Sequence, residues 1–283
     1  MDRADFSYAE ADDPLVFRAL IRVVEIATGQ PLLKRLYEEN QRTPYPDGPS
    51  FFEACMRRLS IDLRVDAAGL AGVPRDGPLI FVANHPFGIV DGLAMGSVVE
   101  RARDDFLILT NAVLLRAPEI RRFVLPVDFT GTREAQATNV GSRAKARAHL
   151  AAGGSLVVFP AGAMSTSPDR FGRAPAVDTR WPPFVGQLLQ KSRAPVVPVY
   201  FAGQNSRLFQ IVSHLNQTAR LALLFNEVRN KIGMTLHVGV GAPIAWEELA
   251  GLSDRQAIAD ELMRRTYALG AGIPGEPTRL AGL

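Results

Sequence analysis

A single cysteine, Cys55, stands among the 283 residues. That excludes a disulfide framework and a zinc site built on several thiolates, and it predicts a reducing compartment. No run of five or more basic residues occurs, and 32 Lys and Arg against 29 Asp and Glu leave a net charge of only +3. A dedicated nucleic-acid binder would carry a basic stripe, so no nucleic-acid partner is expected. No window approaches the roughly 18–20 uninterrupted apolar residues of a membrane span, so any membrane contact is expected to be peripheral. The opening Met1-Asp2-Arg3-Ala4-Asp5 has no basic stretch followed by an apolar core, which predicts no signal peptide. A G-x-S-x-G elbow, a phosphate loop, a dinucleotide fingerprint and zinc-protease spacing are all missing. No metal is expected, and the sequence has neither internal repeats nor low-complexity tracts.

What is present is an ordinary folding composition, 47% apolar and 22% charged, with enough length to bury a sizeable core. Six short apolar runs read as buried strands: 78–83, 106–110, 123–128, 154–160, 195–201 and 234–240. They are rich in β-branched residues and bounded by Gly, Pro or Asp. Helical spacing lies between them at 134–151, 184–192 and 218–230. The alternation predicts an α/β fold, a central mostly parallel sheet flanked by helices, with ligands beyond the carboxyl ends of the strands.

Three segments follow. Residues 1–75 read as an N-terminal helical segment, with an amphipathic pattern over 13–35 and a second helix at 50–59. It either touches a membrane surface or packs on the sheet. Residues 76–245 hold the sheet. Residues 246–283 form a C-terminal helix, running to Gly270 from a start at Ala245, and a loose tail from Ile273.

The first strand is followed by Asn84-His85-Pro86-Phe87-Gly88-Ile89-Val90-Asp91-Gly92. Pro86 and Gly88 make a tight turn, and Asp91 falls near the start of the next helix. Such a turn can fold the carboxylate onto the imidazole, fix its tautomer and leave the other nitrogen as a general base. Taken alone, the pair fits a loop histidine and a helix-capping carboxylate better. His149, His214 and His237 read as structural, and Cys55 as a small core residue. Trp181 before Pro182-Pro183 marks a pocket rim, a membrane interface or simple packing.

Three later strand ends change the balance: Asp128-Phe129-Thr130-Gly131-Thr132-Arg133, Phe159-Pro160-Ala161-Gly162-Ala163-Met164-Ser165, and Val196-Val197-Pro198-Val199-Tyr200. In this order, over about residues 78–245, the four signatures resemble the lysophospholipid acyltransferase family, the glycerolphosphate-acyltransferase-like proteins. Two departures stand out: five residues rather than four between His85 and Asp91, and Ala161 with Ala163-Met164 where Glu and Thr-Arg are usual. Both resemble the branch labelled hemolysin, which includes acyltransferase domains linked to ornithine-type aminolipids. The stretch from Val199 to Phe209 fits the same branch.

The resemblance implies O-acyl transfer from an acyl thioester, on acyl carrier protein or CoA, to the hydroxyl of a membrane lysolipid, either a lysophospholipid or a lyso-aminolipid such as lyso-ornithine lipid. No cofactor beyond the thioester is implied, and the setting is peripheral, on the cytoplasmic face of the membrane. His85 is then the base and Asp91 its orienting carboxylate. Substrate is expected to touch Asn84, Gly88, Gly92, Arg133, Phe159, Pro160, Ala161, Gly162, Ser165, Asn205 and Arg207. Plain alternatives remain at this point: Arg133 as a surface helix residue, Phe159 and Pro160 as a structural turn, Ser165 as an exposed cap, and Asn205 with Arg207 as a helix start. A non-catalytic lipid-binding descendant and a thioesterase are the competing functions.

Overall fold

The computed structural model describes residues 30–42, 50–116, 118–128 and 131–274. The amphipathic stretch at 13–35 falls mostly outside them, as do Phe129, Thr130 and nearly all of the tail from Ile273.

The strands are β1 (Asp62–Val65), β2 (Leu79–Ala83), β3 (Phe106–Asn111), β4 (Val124–Val127), β5 (Ser155–Val158), β6 (Val196–Phe201) and β7 (Thr235–Val240). They form one sheet in the order β1-β7-β6-β2-β5-β3-β4. Neighbours are parallel except β6 and β7, which are antiparallel. All six strands read from the sequence are present. β1 is an addition, inside a segment read as helical. Its residues alternate between exposed and half-buried, so it lacks the apolar run that marks the others and sits at the sheet edge.

The helices are α1 (Gln30–Arg42), α2 (Phe51–Arg58), α3 (Ala67–Ala71), α4 (Ile89–Val99), α5 (Arg133–Ala151), α6 (Phe184–Ser192), α7 (Arg207–Ser213), α8 (Gln217–Ala222), α9 (Leu224–Asn230), α10 (Trp246–Leu249) and α11 (Arg255–Ala268). The stretch 218–230 is two helices rather than one, divided at Leu223. The expected helix over 245–270 is also two. Gly251 follows the first, and Asp254 starts the second by accepting the N–H groups of Gln256 and Ala257, both at 2.8 Å. Phe123 ends a short 3₁₀ turn ahead of β4 instead of opening the strand. Its ring stacks on Phe106 at 4.8 Å.

β2 explains the two-layered core. Successive side chains alternate across a strand. Leu79, Phe81 and Ala83 join the cluster under α2 and α4, while Ile80 and Val82 join the cluster under α5, α6 and α11. Gly96 permits the first of these layers to close: a Cβ there would lie 2.3 Å from the Phe52 ring. Because β2, β5 and β6 are parallel neighbours, their carboxyl ends deliver the loops beginning at Asn84, Phe159 and Ala202 to one edge of the sheet. Among the described residues, no helix is long and apolar enough to cross a membrane.

Candidate active site

The loop after β2 is held from below by Asn84. Its side chain donates to the carbonyl of Phe201 at 2.9 Å and accepts that residue's N–H at 2.8 Å. The residue is fully buried. The structure thus gives Asn84 the job of clamping β2 to β6, with no face left for substrate.

Beyond it, His85 Nδ1 lies 3.0 Å from Asp91 Oδ1. Both atoms of the contact are buried. The other carboxylate oxygen of Asp91 accepts the N–H of Phe87 at 2.8 Å, which fixes the turn. Asp91 is wholly buried, whereas the His85 side chain is 20% exposed. Since Nδ1 is the buried nitrogen, the accessible edge of the ring carries Nε2. Burial pulls the imidazole's pKa down, but the Asp91 carboxylate, and behind it Asp178, outweigh that and leave it above its ordinary value. The Phe159 ring lies 4.4 Å from the imidazole, tilted by 38°.

Gly88, at φ +82°, stands at the start of α4, and no side chain caps that helix. A Cβ on Gly88 would meet Met164 Sδ at 2.7 Å. The start of α4 therefore packs against Met164 and Leu224, at the edge of the sheet that carries His85. Gly92, one turn on, is half-buried, with no atom within 4 Å of where a Cβ would stand.

The loop after β5 brings Phe159 and Pro160 alongside, and Gly162 closes its turn with an N–H to the Phe159 carbonyl at 3.0 Å. Ala161 is half-buried and Gly162 exposed. Ser165 departs from expectation: it is 1% exposed and gives its hydroxyl to Asp178 Oδ1 at 2.5 Å. Its backbone N–H reaches the His85 carbonyl at 2.8 Å.

Asp178 is the residue that sequence reasoning missed. Its carboxylate also accepts the His85 N–H at 3.2 Å and Trp181 Nε1 at 2.9 Å. Burial pushes its pKa up, against the Ser165 and Trp181 hydrogen bonds that lower it. No local spacing signals this role, since Asp178 sits in the long excursion between β5 and α6. Trp181 is likewise a core residue, fully buried.

The remaining expected contacts disperse. Arg133 is exposed at the start of α5. Arg207 is exposed and ties Nε to the Phe171 carbonyl at 2.9 Å. Asn205 is 1% exposed, and neither end of its amide has a partner. His149 and His214 hold backbone carbonyls, of Asp105 at 2.6 Å and Ser167 at 2.8 Å. His237 borders a cavity of about 400 Å³ whose wall includes Phe87, Gln204 and Lys231. That cavity adjoins the His85 loop at Phe87, but His85 is not part of its lining. Among the described residues, no three His, Cys, Asp or Glu side chains converge as metal ligands.

A family model described as Acyltransferase matches residues 17–273. The lyso-glycine lipid O-acyltransferase of Bacteroides thetaiotaomicron is 30% identical over 208 residues, which is 71% of this chain and 72% of that protein. The protein of the same description from Phocaeicola vulgatus is 29% identical over 208 residues, 71% and 70% of the two chains. The crystal structure of the 1-acyl-sn-glycerophosphate (LPA) acyltransferase PlsC from Thermotoga maritima superimposes with a TM-score of 0.51 at 16% identity. The match covers 92% of this chain and 90% of that one, and the likeness is one of fold.

Proposed function

Because this chain belongs to the acyltransferase family, we propose that it moves a fatty acyl group from an acyl thioester to the hydroxyl of a lysolipid, with His85 as general base. One observation carries the assignment of roles. Nδ1 of His85 is buried 3.0 Å from Asp91 Oδ1, so the accessible edge of the ring bears Nε2 as the basic nitrogen.

A thioester is already activated, and the protein has two tasks, to take a proton and to steady an oxyanion. The lysolipid hydroxyl attacks the thioester carbonyl while Nε2 accepts its proton, and a C–O bond forms. The tetrahedral oxyanion lies against the uncapped first turn of α4. Collapse breaks the C–S bond, and the imidazolium returns the proton to the departing thiolate. Ester and free thiol are the products. The Phe159 ring against the imidazole shields one face of the base from water.

The two curated relatives act on lyso-glycine lipid by name, which favours a lyso-aminolipid over a lysophospholipid as the acceptor. The donor is acyl carrier protein or CoA carrying the fatty acyl chain. The acceptor brings the enzyme to a membrane surface, peripherally and on the cytoplasmic face in this reading.

The test is direct. Purified protein is incubated with acyl-CoA or acyl carrier protein and a panel of lyso-aminolipids and lysophospholipids, and products are followed by mass spectrometry. Acylated lipid that disappears with His85→Ala supports the reading. Fatty acid release independent of any acceptor would make the protein a thioesterase instead.

A further inference from the structure

Arg220, on α8, has 8% exposure. One nitrogen, Nη2, donates to the Met164 carbonyl at 2.7 Å. Nε is buried with no partner, and the guanidinium lies 5.5 Å from the centre of the Phe209 ring. Among the described residues no carboxylate pairs with it, and burial alone pulls its pKa down. A guanidinium stays charged regardless and has five N–H donors in a fixed fork. A charge desolvated in this way is costly unless a counter-charge arrives. Holding one carbonyl does not require it.

Its position points at the catalytic loop. Met164, whose carbonyl it holds, packs where a Cβ of Gly88 would stand, as does Leu224. The Arg220 charge acts on His85, opposing protonation of the imidazole. A second observation comes from Asn205. Its amide is buried with both ends unpartnered. Its own carbonyl accepts Gln210 Nε2 at 3.4 Å, and Gln210 in turn accepts the Ser167 N–H at 2.8 Å. Arg220 thus borders the segment from Met164 to Ser167 at Met164, and Asn205 is tied to it at Ser167 through its backbone carbonyl and the Gln210 side chain. Neither Arg133 nor Arg207 is comparably buried, and the loop itself carries no cation between Phe159 and Asp169.

We propose that Arg220, assisted by Asn205, receives the anionic group of the acceptor's head group while the acceptor hydroxyl meets His85. The group is a carboxylate or a phosphate, which the guanidinium takes through paired N–H bonds. The inference rests on the acyl-transfer reading for its substrate and names the chemical class that the site selects.

The test separates the two. Full-length protein is titrated calorimetrically with a soluble short-chain hydroxyacylated amino acid bearing a free carboxylate, with its methyl ester, and with a short-chain 1-acylglycerol phosphate. Wild type binds one or both anions at least tenfold more tightly than the ester, and which anion wins identifies the head group. Arg220→Met binds all three alike. Arg220→Gln keeps a polar side chain and loses the charge, so it makes the same comparison if Arg220→Met does not fold. Asn205→Leu weakens the anion severalfold and leaves the ester unchanged. Equal binding of anion and ester by wild type, or an anion preference that survives Arg220→Gln, overturns the proposal. Anion-selective binding without acyl transfer from any donor sinks the enzyme reading and leaves the role of Arg220 standing.

Discussion

The carboxylate of Asp178 accepts the backbone N–H of His85 at 3.2 Å. Through the same oxygen it takes the Ser165 hydroxyl at 2.5 Å. It therefore braces the loop that carries His85 without touching the imidazole nitrogens, and its charge raises the His85 pKa.

Asp178→Asn should act as a positioning defect. The amide can keep the bonds at Oδ1, but it sets an NH₂ against Trp181 Nε1, a donor facing a donor. One unsatisfied buried group costs about 1–3 kcal/mol, so thermal stability falls. The turnover rate falls with little change in KM, and the acid limb of the pH–rate profile moves to lower pH because a negative charge near His85 is gone. A uniform loss with an unmoved profile would reduce Asp178 to a structural brace.

His85→Ala and Asn84→Ala, one residue apart, should fail in opposite ways. His85 is partly exposed, and its Nδ1 faces one carboxylate oxygen of Asp91. Its removal lowers acyl transfer by roughly 10²–10⁴-fold and, at a pH above the imidazole's pKa, shifts the melting temperature little. Asn84 satisfies the N–H and carbonyl of Phe201 in the sealed junction between β2 and β6. Its loss orphans two buried backbone groups at roughly 1–3 kcal/mol each, so the protein unfolds earlier while its remaining folded fraction still turns over. Thermal melts alongside initial rates separate the two.

The contrast marks what was legible in the sequence. The apolar runs of β2 through β7 are visible because a parallel sheet covered on both faces needs continuous hydrophobic strands. β1 is not, since Asp62-Leu63-Arg64-Val65 alternates at an edge. His85 and Asp91 are readable because one turn brings them together. Asp178 and Arg220 come to the same place from a long excursion and from a separate short helix, and no local pattern encodes such an approach. Ser165 was noticed, but its burial depends on Asp178 and so could not be foreseen.

The pH dependence has a definite sign. As the proposed base, His85 must be neutral to accept a proton, and its pKa stands above the ordinary 6.5. Burial opposes this shift, and Asp91 with Asp178 overcome it. Activity should therefore rise with pH through a midpoint above 6.5. The stability contribution runs the other way: a raised folded pKa stabilises fully below the unfolded value and is lost as pH rises through the folded one. The stability advantage of wild type over His85→Ala should shrink across that same window in urea melts. An activity midpoint below 6.5 would mean that burial prevails over both carboxylates.

Gly88 and Gly92, at the start of α4 and inside it, should respond oppositely to a single methyl. Gly88 holds φ +82°, and a Cβ there would press on Met164 Sδ at 2.7 Å and Leu224 at 3.3 Å. Gly88→Ala combines backbone strain of about 1–3 kcal/mol with displacement of the side chain whose carbonyl Arg220 holds, so stability and transfer fall together. Gly92 lies within α4 with nothing near its missing Cβ. Gly92→Ala should add roughly 0.5–1 kcal/mol through helix propensity alone, raising the melting temperature. If the open space beside it lodges substrate, the methyl raises KM while the protein grows more stable, a combination that no folding defect produces. An unchanged KM in the stabilised variant would remove Gly92 from the substrate contacts.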